Sequence, residues 1–157
     1  MKFRKTLIAA IAFAGLFAAG ATNAHTNEYL DTQIAPHGGQ VRMAGIYHFE
    51  FVIARDSKAD KDTPVTVYVT DHAGTKVSTA GAKGMVTILA GKVKTSINLI
   101  PDGENSLKGS GKYVSAPDMK AVVLVTLAGA GAEQARFTPL AKAGVAKTGE
   151  HSEHMAH

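Results

Sequence analysis

An alternation of apolar and polar side chains constrains this chain more than any other feature of its sequence. From Tyr47 to Ile53, aromatic and aliphatic residues take every second position, with His48 and Glu50 between them. A period of two residues is typical of a strand with one buried face. Three further β-rich runs, separated by turn-forming residues, cover 65–70, 93–99 and 120–128. The pattern predicts an all-β fold, which we expect to be an antiparallel, immunoglobulin-like β-sandwich.

The first 24 residues have the composition of a secretory signal peptide. Three basic residues among the first five precede an apolar run over 7–19, and small residues follow that run. Cleavage is expected after Ala24 or, alternatively, after Ala21. We therefore expect export to the periplasm, a β-sandwich domain at 25–140 and a disordered His-containing tail at 141–157.

Charge and composition exclude several classes of partner. The chain has 17 basic and 13 acidic residues, and because three of the basic ones lie in the signal, the mature chain carries 14 against 13. It contains no block of Lys and Arg that would bind nucleic acid, and no second apolar run long enough to span a membrane. The absence of cysteine excludes disulfides and thiolate metal sites. Stability must therefore come from an ordinary hydrophobic core.

Histidines are concentrated in the mature chain, because all seven follow the predicted signal. His151, His154 and His157 recur at every third position beside two glutamates and a methionine, a mixture of borderline, hard and soft metal ligands. This composition predicts loose metal binding, but it is also typical of a solubilising tail that titrates near neutral pH. Cleavage after Ala24 would place a free α-amine beside the imidazole of His25, and the two could chelate a metal together. Alternatively, His25 is a frayed terminus.

A second group of candidate ligands lies near the start of the predicted sandwich. A two-residue turn at 44–45 would make Met43 and His48 diagonal neighbours on one face. Glu50 shares that face, and His37 precedes the first strand by a few residues. Imidazole with thioether suits Cu(I) or Ag(I), whereas imidazole with carboxylate suits Cu(II), Zn(II) or Ni(II). Alternatively, His48 and Glu50 form only the solvated side of a half-buried strand.

The sequence lacks the motifs of common enzyme classes. It has no cysteine nucleophile, no glycine-rich phosphate loop and no Gly-x-Ser-x-Gly elbow. An N-terminal histidine on a β-sandwich is also a feature of copper oxygenases with a histidine brace, but such a brace needs a second histidine placed opposite. His72 lies in an Asp-His-Ala-Gly turn sequence, for which we expect a structural role. We therefore expect that the protein is not an enzyme.

Three stretches of the chain carry a resemblance to a known family: 36–41 with its His-Gly-Gly sequence, 47–52 and 67–71. They resemble the small β-rich N-terminal domain of periplasmic adaptor subunits of RND-type heavy-metal efflux pumps. They also resemble the free-standing exported relatives of that domain. The likeness extends to Arg136 and Phe137. It implies a sandwich fold and a metal-handling role, and it favours His37 and His48 as ligands. The coiled-coil, lipoyl and barrel segments of an adaptor are absent from this sequence.

These observations predict a periplasmic metal-binding protein that buffers or carries copper, silver, zinc or nickel ions. We expect it to hand ions to an efflux-pump adaptor or another periplasmic protein. The alternative is a non-catalytic interaction module, in which the sandwich edge docks a partner and the histidines are incidental. Metal titration distinguishes these two predictions.

The signal sequence makes the first testable prediction. We expect the exported protein to begin at His25, because Thr22 and Ala24 satisfy the small-residue requirement of signal peptidase. Intact-mass analysis of the periplasmic fraction measures this directly. A mature chain that starts at Thr22 would contradict the proposed chelate of amine and imidazole, and a chain that keeps Met1 would contradict export.

Overall fold

The computed structural model describes residues 26–142, which form one short helix and eight strands. The predicted signal therefore lies outside the described residues, as does the predicted tail apart from its first two positions. The elements are α1 (Asn27–Thr32), β1 (Gln40–Ala44), β2 (Tyr47–Ile53), β3 (Thr63–Asp71), β4 (Lys83–Ala90), β5 (Val93–Pro101), β6 (Ser106–Gly111), β7 (Lys120–Thr126) and β8 (Ala132–Phe137).

All the strand pairs in this part of the chain are antiparallel, and they form a sheet of order β1-β2-β3-β6-β5-β4-β7-β8. The sheet curls until its two outer strands approach each other. At that junction the backbone N–H of Thr138, directly after β8, donates to the side-chain oxygen of Gln40 in β1 at 2.8 Å. The prediction of an all-β, antiparallel fold is confirmed.

The alternation in the sequence places one face of each strand in a shared core. Phe49 and Phe51 of β2 and Val67 of β3 are fully buried on the inner face of the sheet. Each such side chain stabilises the fold by roughly 1.5–3 kcal/mol relative to an exposed position. The predicted strand at 47–53 coincides with β2, and the run at 120–128 contains β7.

The turn between β1 and β2 lies one residue later than predicted, which changes the partner of each β1 residue by two positions. Ala44 pairs with Tyr47, so the turn residues are Gly45 and Ile46 rather than Ala44 and Gly45. Gly45 has a φ of 60°, and a glycine at the first central position is what a type II′ hairpin turn requires. Met43 consequently lies directly opposite His48 and is not its diagonal neighbour.

The helix α1 lies in a segment for which the sequence predicted no regular structure. The hydroxyl of Thr26 caps it by accepting from the Tyr29 N–H at 3.2 Å, and Leu30 is its buried side chain. Asp31 receives two bonds from the Arg42 guanidinium of β1, at 2.7 and 3.1 Å. This paired contact attaches the helix to the sheet edge. No helix within residues 26–142 is both long and apolar enough to cross a membrane.

The close approach of β5 and β6 makes a prediction about stability. A Cβ on Gly109 would collide with the Asn98 carbonyl and would lie 2.7 Å from Ile97 Cγ2. We expect Gly109→Ala to lower the free energy of unfolding by about 1–3 kcal/mol, because a crowded interior must shift to admit it. Gly131→Ala is the matched control, since a Cβ there meets nothing within 4 Å. Equal melting temperatures for the two variants, measured by circular dichroism, would contradict this account of the packing.

Candidate metal centre

A cleft of about 320 Å³ lies on the outer face of β2 and β3, beneath α1 and the segment before β1. Because β2 and β3 are antiparallel, His48 lies opposite Thr70 and Glu50 lies opposite Tyr68. Side chains of one parity therefore share this face of the sheet. The polar groups with metal-binding or supporting chemistry that line the cleft are His37, His48, Glu50, Tyr68 and His72.

Glu50 holds the segment before β1 in place. Glu50 is only 5% exposed. One of its carboxylate oxygens accepts hydrogen bonds from the backbone N–H groups of His37 at 2.8 Å and Gly39 at 3.0 Å. The other oxygen is 2.8 Å from His37 Nδ1. A buried carboxylate without such partners would be costly, so these three contacts fix both the loop and the imidazole.

His37 is oriented from two sides. Its ring stacks on Tyr68 with centroids 3.5 Å apart and planes 4° from parallel. In the neutral imidazole, a proton on Nδ1 satisfies Glu50 and leaves the lone pair on Nε2. A carboxylate that accepts from one imidazole nitrogen while the other nitrogen binds a metal is a common arrangement around metal ions. The His37 side chain is 42% exposed, so it is accessible to an ion from solvent.

The second pair in the cleft is His48 with His72. Nε2 of His48 lies 3.1 Å from Nδ1 of His72, and the two rings meet edge-on at 88°. His48 is 8% exposed, and His72 extends this wall of the cleft from the turn after β3. When both rings are neutral, one nitrogen donates and the other accepts, so a lone pair and a proton face each other at this contact.

The turn that carries His72 is held by Asp71. Its Oδ1 accepts bonds of 2.8 Å from the backbone N–H groups of Ala73 and Thr75, and Gly74 has a φ of 81°. The hydrogen bond from the Thr75 backbone is the main influence that lowers the pKa of Asp71 below its ordinary value of 3.8. The turn predicted from the Asp-His-Ala-Gly sequence is present, and it brings His72 back over β2.

The structure separates into pairs the second group of candidate ligands, which the sequence places near the start of the domain. His37 meets Glu50, and His48 meets His72, but within residues 26–142 no three His, Asp or Glu side chains are grouped so that they could jointly hold one ion. Met43 lies opposite His48 in the β1–β2 pairing but is not among the residues that line the cleft. The imidazole, thioether and carboxylate groups of this set therefore do not meet at one point.

Two further sequence expectations are corrected by the cleft. His48 and Glu50 are not the solvated side of their strand, because α1 and the segment at 36–39 cover that face. His72 has a contact in the cleft beyond its role in the turn. A register prediction for β2 and β3 could have found it, since His72 follows the partner of His48 by two residues. The remaining predicted ligands, which lie outside the described residues, are His25, His151, His154 and His157.

Comparison with known proteins adds no assignment to this geometry. No protein-family model matches the chain. No curated protein matches it either. The resemblance to the efflux-pump adaptor domain therefore remains a prediction that rests on the stretches at 36–41, 47–52 and 67–71.

The Asp71 turn makes a prediction about pH. Because the folded pKa lies below the unfolded value, the stabilising contribution of the carboxylate is present above about pH 4 and is lost as the pH falls through the folded pKa. We expect the amide proton shifts of Ala73 and Thr75, followed by NMR, to titrate with a midpoint below 3.8. Asp71→Asn is the control, because it keeps the acceptor oxygen and cannot titrate. A midpoint at or above 3.8 would contradict the proposed hydrogen bonding.

Proposed function

We propose that this protein binds metal ions in the periplasm, and that the pair of His48 and His72 is the binding centre of its folded domain. The observation that carries the proposal is the 3.1 Å separation of their facing ring nitrogens in the cleft on the outer face of β2 and β3, where His48 is buried. The ion is cargo in this proposal, held for storage or transfer, and the domain folds around its own apolar core. The protein has no catalytic role in it.

The spacing of the two nitrogens supports an ion between them. Bonds of about 2.0–2.1 Å to zinc or copper, at a tetrahedral angle, separate two ligand nitrogens by about 3.3 Å. The observed separation is about 0.2 Å shorter, so a rotation of the exposed turn that directs both nitrogen lone pairs toward one point would admit the ion between them. Both rings would bind as neutral imidazoles, so the proton at the contact would move to the other nitrogen of its own ring and leave both facing lone pairs to the ion.

The donor set favours labile binding of borderline ions. Two imidazoles suit copper, zinc and nickel, whereas silver and Cu(I) gain most from a thioether, and Met43 does not line the cleft. Two protein ligands leave the other coordination positions to water or to a recipient protein. Incomplete coordination suits a carrier that must release its ion.

The proposed connection of this protein with heavy-metal efflux rests on the resemblance to the adaptor domain. The same resemblance suggests that an adaptor or another periplasmic protein receives the ion. The same resemblance supports the immunoglobulin-like sandwich as the finer description of the fold. β5 pairs with β6 over only two residue pairs, which divides the curled sheet into two halves that face each other across the core.

A second candidate function has its own observation. Ile34, which lines the same cleft, is 97% exposed, and Tyr29 beside it is 48% exposed. Large apolar side chains that are exposed next to each other are typical of a protein-docking surface. In the interaction-module alternative, these side chains contact the partner and the histidines contribute hydrogen bonds only.

Calorimetric titration distinguishes the two functions. In a chain ending at Lys142, which removes the tail histidines, we expect His48→Gln and His72→Gln each to weaken Cu(II) or Zn(II) binding by about tenfold or more. The double variant should lose little beyond either single variant, because both side chains would hold one ion. His37→Gln is the matched control, as it removes an imidazole from the same cleft but not from the pair.

Thermal stability gives an independent measurement. An ion that binds only the folded protein raises the melting temperature as its free concentration exceeds Kd. Absence of a metal-dependent shift in the parent, with unchanged affinity in both pair variants, would contradict the metal-binding function and favour the interaction module.

A further inference from the structure

A second and larger cleft, of about 620 Å³, lies on the outer face of β4, β7 and β8. The helix α1 forms one of its walls through Asn27, Glu28 and Asp31. The sheet side combines apolar Leu89 and Val122 with the cations Lys94, Lys120 and Arg136. Neither His48 nor His72 lines this cleft, so a ligand bound in it would not depend on the proposed metal function.

The strand register determines this arrangement. Leu89 of β4 lies directly opposite Lys94 of β5 on one side and Lys120 of β7 on the other. Val122 of β7 lies opposite Arg136 of β8. Because directly paired residues point to the same face, two apolar side chains are flanked by three cations. Lys94 and Lys120 are two strand spacings apart, which is about 10 Å.

These three cations differ from Arg42, which also lines the cleft. Arg42 is neutralised by its paired bonds to Asp31, whereas no ion pair within residues 26–142 involves Lys94, Lys120 or Arg136. The remaining acidic group at the cleft is Glu28 on the helix wall. The cleft therefore has an excess of two positive charges around Leu89, an apolar side chain that is 42% exposed.

We propose that this cleft binds a small amphipathic anion. The apolar body of the ligand lies on Leu89 and Val122, and its carboxylate, sulfonate or phosphate group lies among the three cations. The volume falls within the range of small-molecule sites, and the helix closes one side, as such sites require. The excess of positive charge favours a negatively charged ligand. The apolar floor of the cleft, formed by Leu89 and Val122, favours a ligand that also has a hydrocarbon portion.

The test uses the mature chain with two probes, 8-anilinonaphthalene-1-sulfonate followed by fluorescence, and dodecanoate as its competitor. We expect saturable binding that weakens with added salt. Lys94→Gln and Lys120→Gln should each raise Kd roughly two- to fivefold, as exposed charge pairs do. Leu89→Ser should also raise Kd, because it removes the apolar floor. Glu28→Gln should lower Kd, since it removes the opposing charge.

The matched control is Lys83→Gln. Lys83 is exposed and has the same parity as Leu89 on β4, but it lies six residues away, or about 20 Å along the strand, and does not line the cleft. All substituted side chains are exposed, so the melting temperature should stay close to that of the parent. An equal effect of Lys83→Gln would show a general charge effect and overturn the proposal.

Three other results would also overturn it. The first is probe binding that does not depend on the cleft, seen either as a lack of saturation or as a Kd that Leu89→Ser and Glu28→Gln leave unchanged. A second is a large gain in affinity when residues 143–157 are deleted, which would make the tail of this chain the occupant. The third is tighter binding of a hexaglutamate peptide or phosphatidylglycerol vesicles than of dodecanoate, which would assign the cleft to an acidic protein or a lipid surface.

Discussion

The buried carboxylate of Glu50 is the constraint on which the arrangement around the histidine cleft depends. It lies in the middle of β2, on the face that does not enter the core, and it accepts from two backbone N–H groups and one imidazole of the segment before β1. An isolated carboxylate at this depth would be strongly unfavourable. The segment is therefore held in the one position that satisfies Glu50, and that position stacks His37 on Tyr68.

β2 is thus buried on both faces for different reasons. Phe49 and Phe51 enter the core of the curled sheet, and His48 and Glu50 are covered by the helix and the segment that follows it. Apolar burial stabilises the inner face through the hydrophobic effect, whereas the outer face requires each polar group to find a partner. Because each polar group of the outer face must find a partner, the side chains there are held in defined positions, as a binding site requires.

The helix α1 connects the two clefts. Tyr29 and Leu30 of the helix line the histidine cleft, whereas Glu28 and Asp31 line the cationic one. Two hydrogen bonds from the Arg42 guanidinium to the Asp31 carboxylate attach the helix to the sheet, and this charge-assisted contact has a defined geometry. Any displacement of this short helix would change the walls of both clefts together, which makes the Arg42–Asp31 pair a structural link between the two proposed sites.

The sequence by itself determined the β class, the position of β2 and the turn at Asp71, because a two-residue period and turn chemistry are local properties of the chain. It did not determine the register of the first hairpin, where the conformational freedom of Gly45 moved the turn by one residue. Only the tertiary structure decided that His72 meets His48 and that Glu50 is buried. Those contacts join residues from separate strands, and their pairing depends on which segments cover the outer face of the sheet, which no local pattern records.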